Sequence, residues 1–158
     1  MMRYIMLVCI TLISLTSSPT KAEQQTNDQF DCLVEAVYFE ARGESLKGIF
    51  AVVEVILNRV AHRSFPNTVC TVTTQGRYWN SNPIKHKCHF SYFCDGKSDK
   101  IVDSPTYQRV RASVGQGLKD WVVPTDVLYY HNNKVSPYWK RKFKRKFKIG
   151  NHIFYGEK

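Results

Sequence analysis

Between Phe30 and Val60 the chain carries two apolar stripes of helical period on either side of one glycine, and this pairing constrains the fold most. Phe30, Leu33, Val34, Val37, Tyr38 and Ala41 recur at spacings of three and four, which describes one helix face. Asn27 or Asp28 is expected to cap this helix, and Gly43 to stop it. From about Ser45 the pattern restarts with Ile49, Val52, Val53, Ile56, Leu57 and Val60, while Glu54, Asn58 and His62 fall toward the other side. That helix should end near the Ser64-Phe65-Pro66-Asn67 stretch. Two such helices, joined by a tight turn, must bury their stripes against each other or against a common partner.

The remainder reads differently. From Cys70 to Asp103, Gly76, Asn80, Asn82, Pro83 and Gly96 punctuate aromatic text, as loops with short strands do. A further helix is expected from Pro105 to about Leu118, with short strands at Val127–Tyr130 and Ile153–Tyr155. At 158 residues the chain has room for one ordinary domain. The expected class is α+β, helical first and looped and partly β later.

The N-terminus has the layout of a secretory signal. Arg3 supplies a positive start, Ile5 to Leu15 is mostly apolar, and Ala22 offers a small residue at the cleavage point. The run is shorter than the roughly 20 apolar residues of a membrane span. Residues 1–22 are therefore read as a signal peptide, 23–29 as a loose polar lead and 30–158 as the functional domain, exported to the periplasm or medium. Removing Arg3 and Lys21 with the signal lowers the formal charge from +10 to +8. A basic exported protein is drawn to anionic polymers or surfaces. Export argues against nucleic acid as the partner, and no membrane span remains once the signal is gone.

Four cysteines survive that cleavage, Cys32, Cys70, Cys88 and Cys94, and an even number in an exported chain suggests two disulfides. Three pairings are possible. Cys88 and Cys94 are close enough to staple one loop, which would leave Cys32 with Cys70, but sequence alone leaves the choice open.

Glu40 is the leading candidate for chemistry. It sits one helical turn beyond Val37, at the border of the apolar stripe and beside Phe39. Partial desolvation there would raise its pKa, as a carboxylic acid that protonates a leaving oxygen requires. Spacing alone favours an ion pair with Arg42 or Lys47 on a solvated flank. Glu44 lies past the glycine, placed to cap the second helix or hold substrate. His86, Cys88, His89, Cys94, His131 and His152 suggest zinc, yet the cysteines have an oxidising destination and no paired metal motif occurs. No metal or organic cofactor is expected. Rings mixed with polar groups in Cys88–Gly96 and Tyr129–Asn133 suit sugars, although Phe90, Phe93 and Tyr129 read best as core. The basic run Lys140–Lys148 reads as a solvated face, with a wall- or membrane-facing patch as the functional option.

Several linked blocks then carry a resemblance. Glu35-Ala36-Val37-Tyr38-Phe39-Glu40-Ala41-Arg42-Gly43-Glu44, followed by Gly48 and Ala51 to Val60, resembles the opening of the cell wall hydrolases typified by the spore cortex-lytic enzyme SleB. Phe65 to Cys70, Cys88 to Gly96, Tyr130-His131, Val135 to Trp139 and Ile149 to Tyr155 match in the expected order. The resemblance implies a lysozyme-like helical portion with a looped, partly β second portion, and lytic transglycosylase activity on peptidoglycan glycan strands by a monomer. It places the catalytic glutamate on Glu40, with Glu44 as the second choice; Glu44, Ser91, Tyr92, Asp95, His131 and Trp139 are the expected substrate contacts. This chain departs from the pattern at His89, where glutamine is expected, and at Lys47-Gly48-Ile49, where a Gly-Gln pair is more usual. An exported zinc amidase and a non-catalytic basic wall-binding protein are the competing readings.

Overall fold

The computed structural model describes residues 20–120 and 124–158. Helix α1 spans Lys21–Ala41, and its cap is Thr20, whose hydroxyl accepts from the Glu23 amide at 3.3 Å. The expected cap at Asn27 or Asp28 is thus corrected, and residues 23–29 are helical, not a loose lead. A good cap and a run of straight-chain residues extend the helix before its apolar stripe begins. Most of the expected signal segment lies outside the described residues, and Ala22 falls in the first turn of α1.

The stripe behaves as its spacing predicts. Leu33, Val34, Val37, Tyr38 and Ala41 are buried. After the Gly43–Glu44 turn, Ser45 caps α2 (Leu46–Ala61) by accepting from the Gly48 amide at 3.4 Å. Buried Ile49, Val52, Val53 and Ile56 line its inner face. Asn58 was expected on the polar side and is instead buried. Its Nδ2 donates to the carbonyls of Pro124 and Val127, both at 3.1 Å. Two orphan carbonyls outside the helix explain why an amide is tolerated there.

A short helix, α3 (Val69–Thr73), was not legible in the sequence, because five residues cannot show a helical period. Thr68 caps it, and the Cys32–Cys70 disulfide ties it to α1. Strands β1 (Gly76–Trp79) and β2 (Asn82–Cys88) form an antiparallel hairpin. A 3-10 turn at Ser91–Cys94 follows, closed onto the end of β2 by the Cys88–Cys94 disulfide. Helix α4 (Ser104–Asp120) buries Val110 and Val114, whereas Leu118, counted with that face, is 47% exposed. Gly117 of α4 lies so close to Phe50 of α2 that a Cβ would sit 2.7 Å from its ring.

Three strands complete the chain: β3 (Val127–Asn132), β4 (Lys144–Ile149) and β5 (His152–Gly156). They pair antiparallel in the order β3-β5-β4, which makes the basic run an edge strand after a 3-10 turn at Tyr138–Lys142. Lysines on an edge oppose pairing with a second sheet. Phe147 and Ile149 of that strand pack inward on the core. Arg59 of α2 joins the two halves: its Nε donates to the Leu128 carbonyl at 2.8 Å. The α+β class expected from the sequence is what the chain adopts. Among the described residues no helix is long and apolar enough to cross a membrane.

Candidate active site

Glu40 occupies the last turn of α1, where the stripe that buries Val37 and Ala41 meets solvent. Its side chain is half-buried and bonds to β3, and among the described residues it forms no ion pair with Arg42 or Lys47. The Tyr130 hydroxyl donates to Glu40 Oε2 at 3.1 Å. Arg42 instead lies over the Tyr38 and Phe39 rings, at 4.8 and 5.8 Å from their centroids. Burial pushes the Glu40 pKa above its ordinary value. The Tyr130 bond, the positive charge of Arg59 and a backbone hydrogen bond from Ser91 oppose that rise without cancelling it. The result is an acid that keeps its proton to higher pH than a free glutamate, with donors ready for the carboxylate once it forms.

Two hollows meet at this carboxyl. One, of about 480 Å³, is lined by Glu40, Arg42, Ser91, Tyr92, Asp95 and Asp99, among others. The other, of about 460 Å³, is lined by Glu40, Arg59, His89, His131 and Trp139, with Asn132 and His152 shared by both. A third hollow of about 370 Å³ continues along Arg59, His89, Tyr129, Trp139 and Phe143. Together they make an open groove with the carboxyl near its middle, a shape suited to a chain-like ligand.

The expected contacts divide. Ser91, Tyr92 and Asp95 line the first hollow, and Ser91, His131 and Trp139 the second, so five of the six share hollows with Glu40. Tyr92 is largely buried and stacks on Phe39 at 4.8 Å, and it builds the wall more than it offers a hydroxyl. Both His131 nitrogens are engaged, Nδ1 with the Asn132 carbonyl at 2.8 Å and Nε2 with the Tyr155 hydroxyl at 3.1 Å. Glu44 stands apart: its Oε1 accepts from Asn151 Nδ2 at 2.9 Å and its Oε2 from the Asn151 amide at 3.2 Å. These bonds tether the α1–α2 turn to the β4–β5 turn. Tyr129, read as core, lines the aromatic hollow and stacks on Phe143 at 3.8 Å.

Arg59 was missed, while Tyr130 was read as a ring beside sugar-binding groups and His152 as a zinc candidate. Arg59 is buried in an aromatic cage, its guanidinium 5.1 Å from Phe90, 5.3 Å from Phe65 and 5.8 Å from Tyr129. Burial lowers its pKa, and among the described residues its Nη1 has no hydrogen-bond partner. His152 is buried, its Nδ1 likewise without a hydrogen-bond partner among the described residues, and burial holds its pKa below the ordinary value. No periodicity marks such residues; Tyr130 meets Glu40 across ninety positions of sequence. Cys88 and Cys94, which a zinc site would need as thiolates, are bonded to each other.

Known proteins are similar to this chain in sequence and in fold. A family model described as Cell Wall Hydrolase matches residues 43–155, beginning just past Glu40. The spore cortex-lytic enzyme of Bacillus subtilis (strain 168) is 33% identical over 153 residues, covering 87% of this chain and 44% of that protein. The spore cortex-lytic enzyme of Bacillus cereus is 32% identical over 130 residues, covering 82% of this chain and again 44% of the relative. The chain therefore spans less than half the length of these curated relatives. The crystal structure of the catalytic domain of the Bacillus cereus SleB protein superposes with a TM-score of 0.61 at 32% identity, covering 82% of this chain and 90% of that one. The catalytic domain of the germination-specific lytic transglycosylase SleB from Bacillus anthracis gives 0.61 at 32% identity, over 81% and 93%. With motif order, fold and sequence in agreement over most of its length, the chain belongs to the cell wall hydrolase family.

Proposed function

We propose that this protein is an exported lytic transglycosylase that cleaves the bond between N-acetylmuramic acid and N-acetylglucosamine in peptidoglycan, acting as a monomer without metal or organic cofactor. The observation that carries the reading is the half-buried carboxyl of Glu40 at the middle of an open groove, with its pKa raised by burial. A SleB catalytic domain described as a lytic transglycosylase, at 32% identity, supports the same reaction.

In the proposed cycle Glu40 gives its proton to the oxygen leaving the muramic acid carbon. The Glu40 carboxylate, now stabilised by Tyr130, Ser91 and Arg59, takes the proton from the same sugar's C6 hydroxyl. That oxygen closes onto the anomeric carbon to form the anhydro ring, and Glu40 ends protonated as it began. The positive charge of Arg59 acts on Glu40 and favours the carboxylate that the second half of the cycle needs. Ser91, Asp95 and Asn132 offer polar contacts to sugar hydroxyls, and Trp139 offers a ring face.

Mass spectrometry of fragments released from purified sacculi tests the proposal. Muramic acid ends one water lighter than the hydrolysis product are expected. Hydrated ends would replace the transglycosylase by a simple hydrolase, and cleaved lactyl–peptide bonds inhibited by a chelator would replace it by a zinc amidase.

A further inference from the structure

All thirteen Asp and Glu residues of the chain lie outside residues 127–156, a stretch that contains eight Lys and Arg. Those thirty residues form the three-stranded sheet and the turn preceding β4, and they supply His131, Asn132, Trp139, Phe143 and His152 to the groove. The sheet side of the groove is therefore backed by residues of a single sign of charge, whereas the facing side mixes Glu40, Asp95 and Asp99 with Arg42, Lys97 and Lys100. Among the described residues Lys146 alone of the eight has an acidic partner, Asp126. Arg141, Lys142, Lys144 and Arg145 are exposed and directly follow Trp139 in sequence, so the cations begin where the aromatic floor ends. Edge protection needs only a lysine or two. A run of like charges repels itself and is sustained at a cost unless counter-charge approaches.

We propose that this basic flange binds the carboxylates of the stem peptides that branch from the glycan strand held in the groove. The inference rests on the glycan reading above. The glycan backbone offers little charge, whereas its peptides end in free carboxylates and leave the strand sideways, toward a rim. Placement beside the groove, in continuity with Trp139 and Phe143, favours the peptides of the bound strand over a distant polymer. Exposed cations in such a rim act by attraction and steering, and need no fixed geometry.

The test compares two charge-matched variants of the full chain. One changes Arg141, Lys142, Lys144 and Arg145 to Gln; the other changes Lys47, Arg63, Arg109 and Lys119, exposed residues of the helical half, to Gln. Each is assayed on sacculi with and without phosphate polymers, and on polymer-free sacculi whose peptide carboxylates have been converted to neutral amides, with thermal melts to confirm folding. On polymer-free sacculi the flange variant should show a KM raised about tenfold, as when four exposed attractions are lost together, with kcat unchanged. On amidated sacculi it should match the wild type, and the helical-half variant should match the wild type on all three. Equal losses in the two variants, or an equal loss on amidated sacculi, would overturn the flange while leaving glycan cleavage standing. A difference that appears only on walls carrying phosphate polymers would also overturn it. Failure of the wild type to cut any of these walls would remove the glycan reading itself and the flange with it.

Discussion

The Tyr130 hydroxyl donates to Glu40 Oε2 at 3.1 Å, joining the last turn of α1 to the centre strand segment of β3. That bond favours the carboxylate and so restrains a pKa that burial raises. In Tyr130→Phe the restraint is gone and the Glu40 pKa should climb further. Because the cycle starts from protonated Glu40, the alkaline limb of the rate profile should move to higher pH. The variant should lose about 1 kcal/mol of stability or less. A pH–rate series on sacculi checks it; an unmoved alkaline limb would mean that Glu40 is not the group being titrated.

Glu40 also links stability to pH. Its folded pKa is raised, so its contribution is full below the unfolded value and is lost as pH rises through the folded value. Glu40→Gln removes that loss, and at neutral pH it should melt at or above the wild-type temperature. The gap should close in acid. His152 runs the other way: its folded pKa is lowered, so its contribution is present above the unfolded value and fades as pH falls through the folded one. His152→Gln should flatten the acid side of the stability curve. Melts from pH 4 to 8 read both, and a Glu40→Gln protein clearly less stable at neutral pH would contradict the burial argument.

The first helices were legible because burial of one face imposes a period, and the stripes over Leu33–Ala41 and Ile49–Val60 are long enough to display it. Glu40 was legible for a related reason: a carboxyl at the stripe's border must be partly desolvated. The flaw lay with residues whose partners are remote in sequence. Asn58 reads as a solvent-facing residue until the carbonyls of Pro124 and Val127 reach it, and Arg59 reads as a surface cation until Phe65, Phe90 and Tyr129 close around it. Glu44 shows the same limit, since nothing near it in sequence announces Asn151.

The Glu44 tether has its own consequence. Gly150 takes a φ of +53°, and a Cβ there would fall 1.9 Å from Glu44 Oε2. Gly150→Ala should therefore cost more than Glu44→Gln, because it adds backbone strain to loss of the tether. Glu44→Gln should cost about 1 kcal/mol and leave kcat close to wild type. Denaturant titration with activity assays on both variants checks this. A folded but inactive Glu44→Gln would return Glu44 to the reaction.

The two disulfides should separate stability from activity. Cys32–Cys70 closes 38 residues and Cys88–Cys94 only 6. Loop entropy assigns them about 4 and about 2 kcal/mol. Yet the smaller loop contains Ser91, whose backbone supports the Glu40 carboxylate, and His89 of the groove. Replacing Cys32 and Cys70 by Ser should lower the melting temperature more, while replacing Cys88 and Cys94 should lower wall clearing more per unit of stability lost. Paired melts and turbidity assays decide it; equal loss of activity in both pairs would show that the 3-10 turn does not depend on its staple.

Glu40→Gln tests the central claim most directly. The amide keeps the size of the side chain and can still accept from Tyr130, but it cannot supply a proton. Clearing of purified sacculi by the folded variant, followed as loss of turbidity, should fall by about 10²–10⁴-fold or more, the usual contribution of a general acid–base group. Clearing at the wild-type rate by a folded Glu40→Gln protein would contradict the assignment of Glu40 as the acid and base of this enzyme.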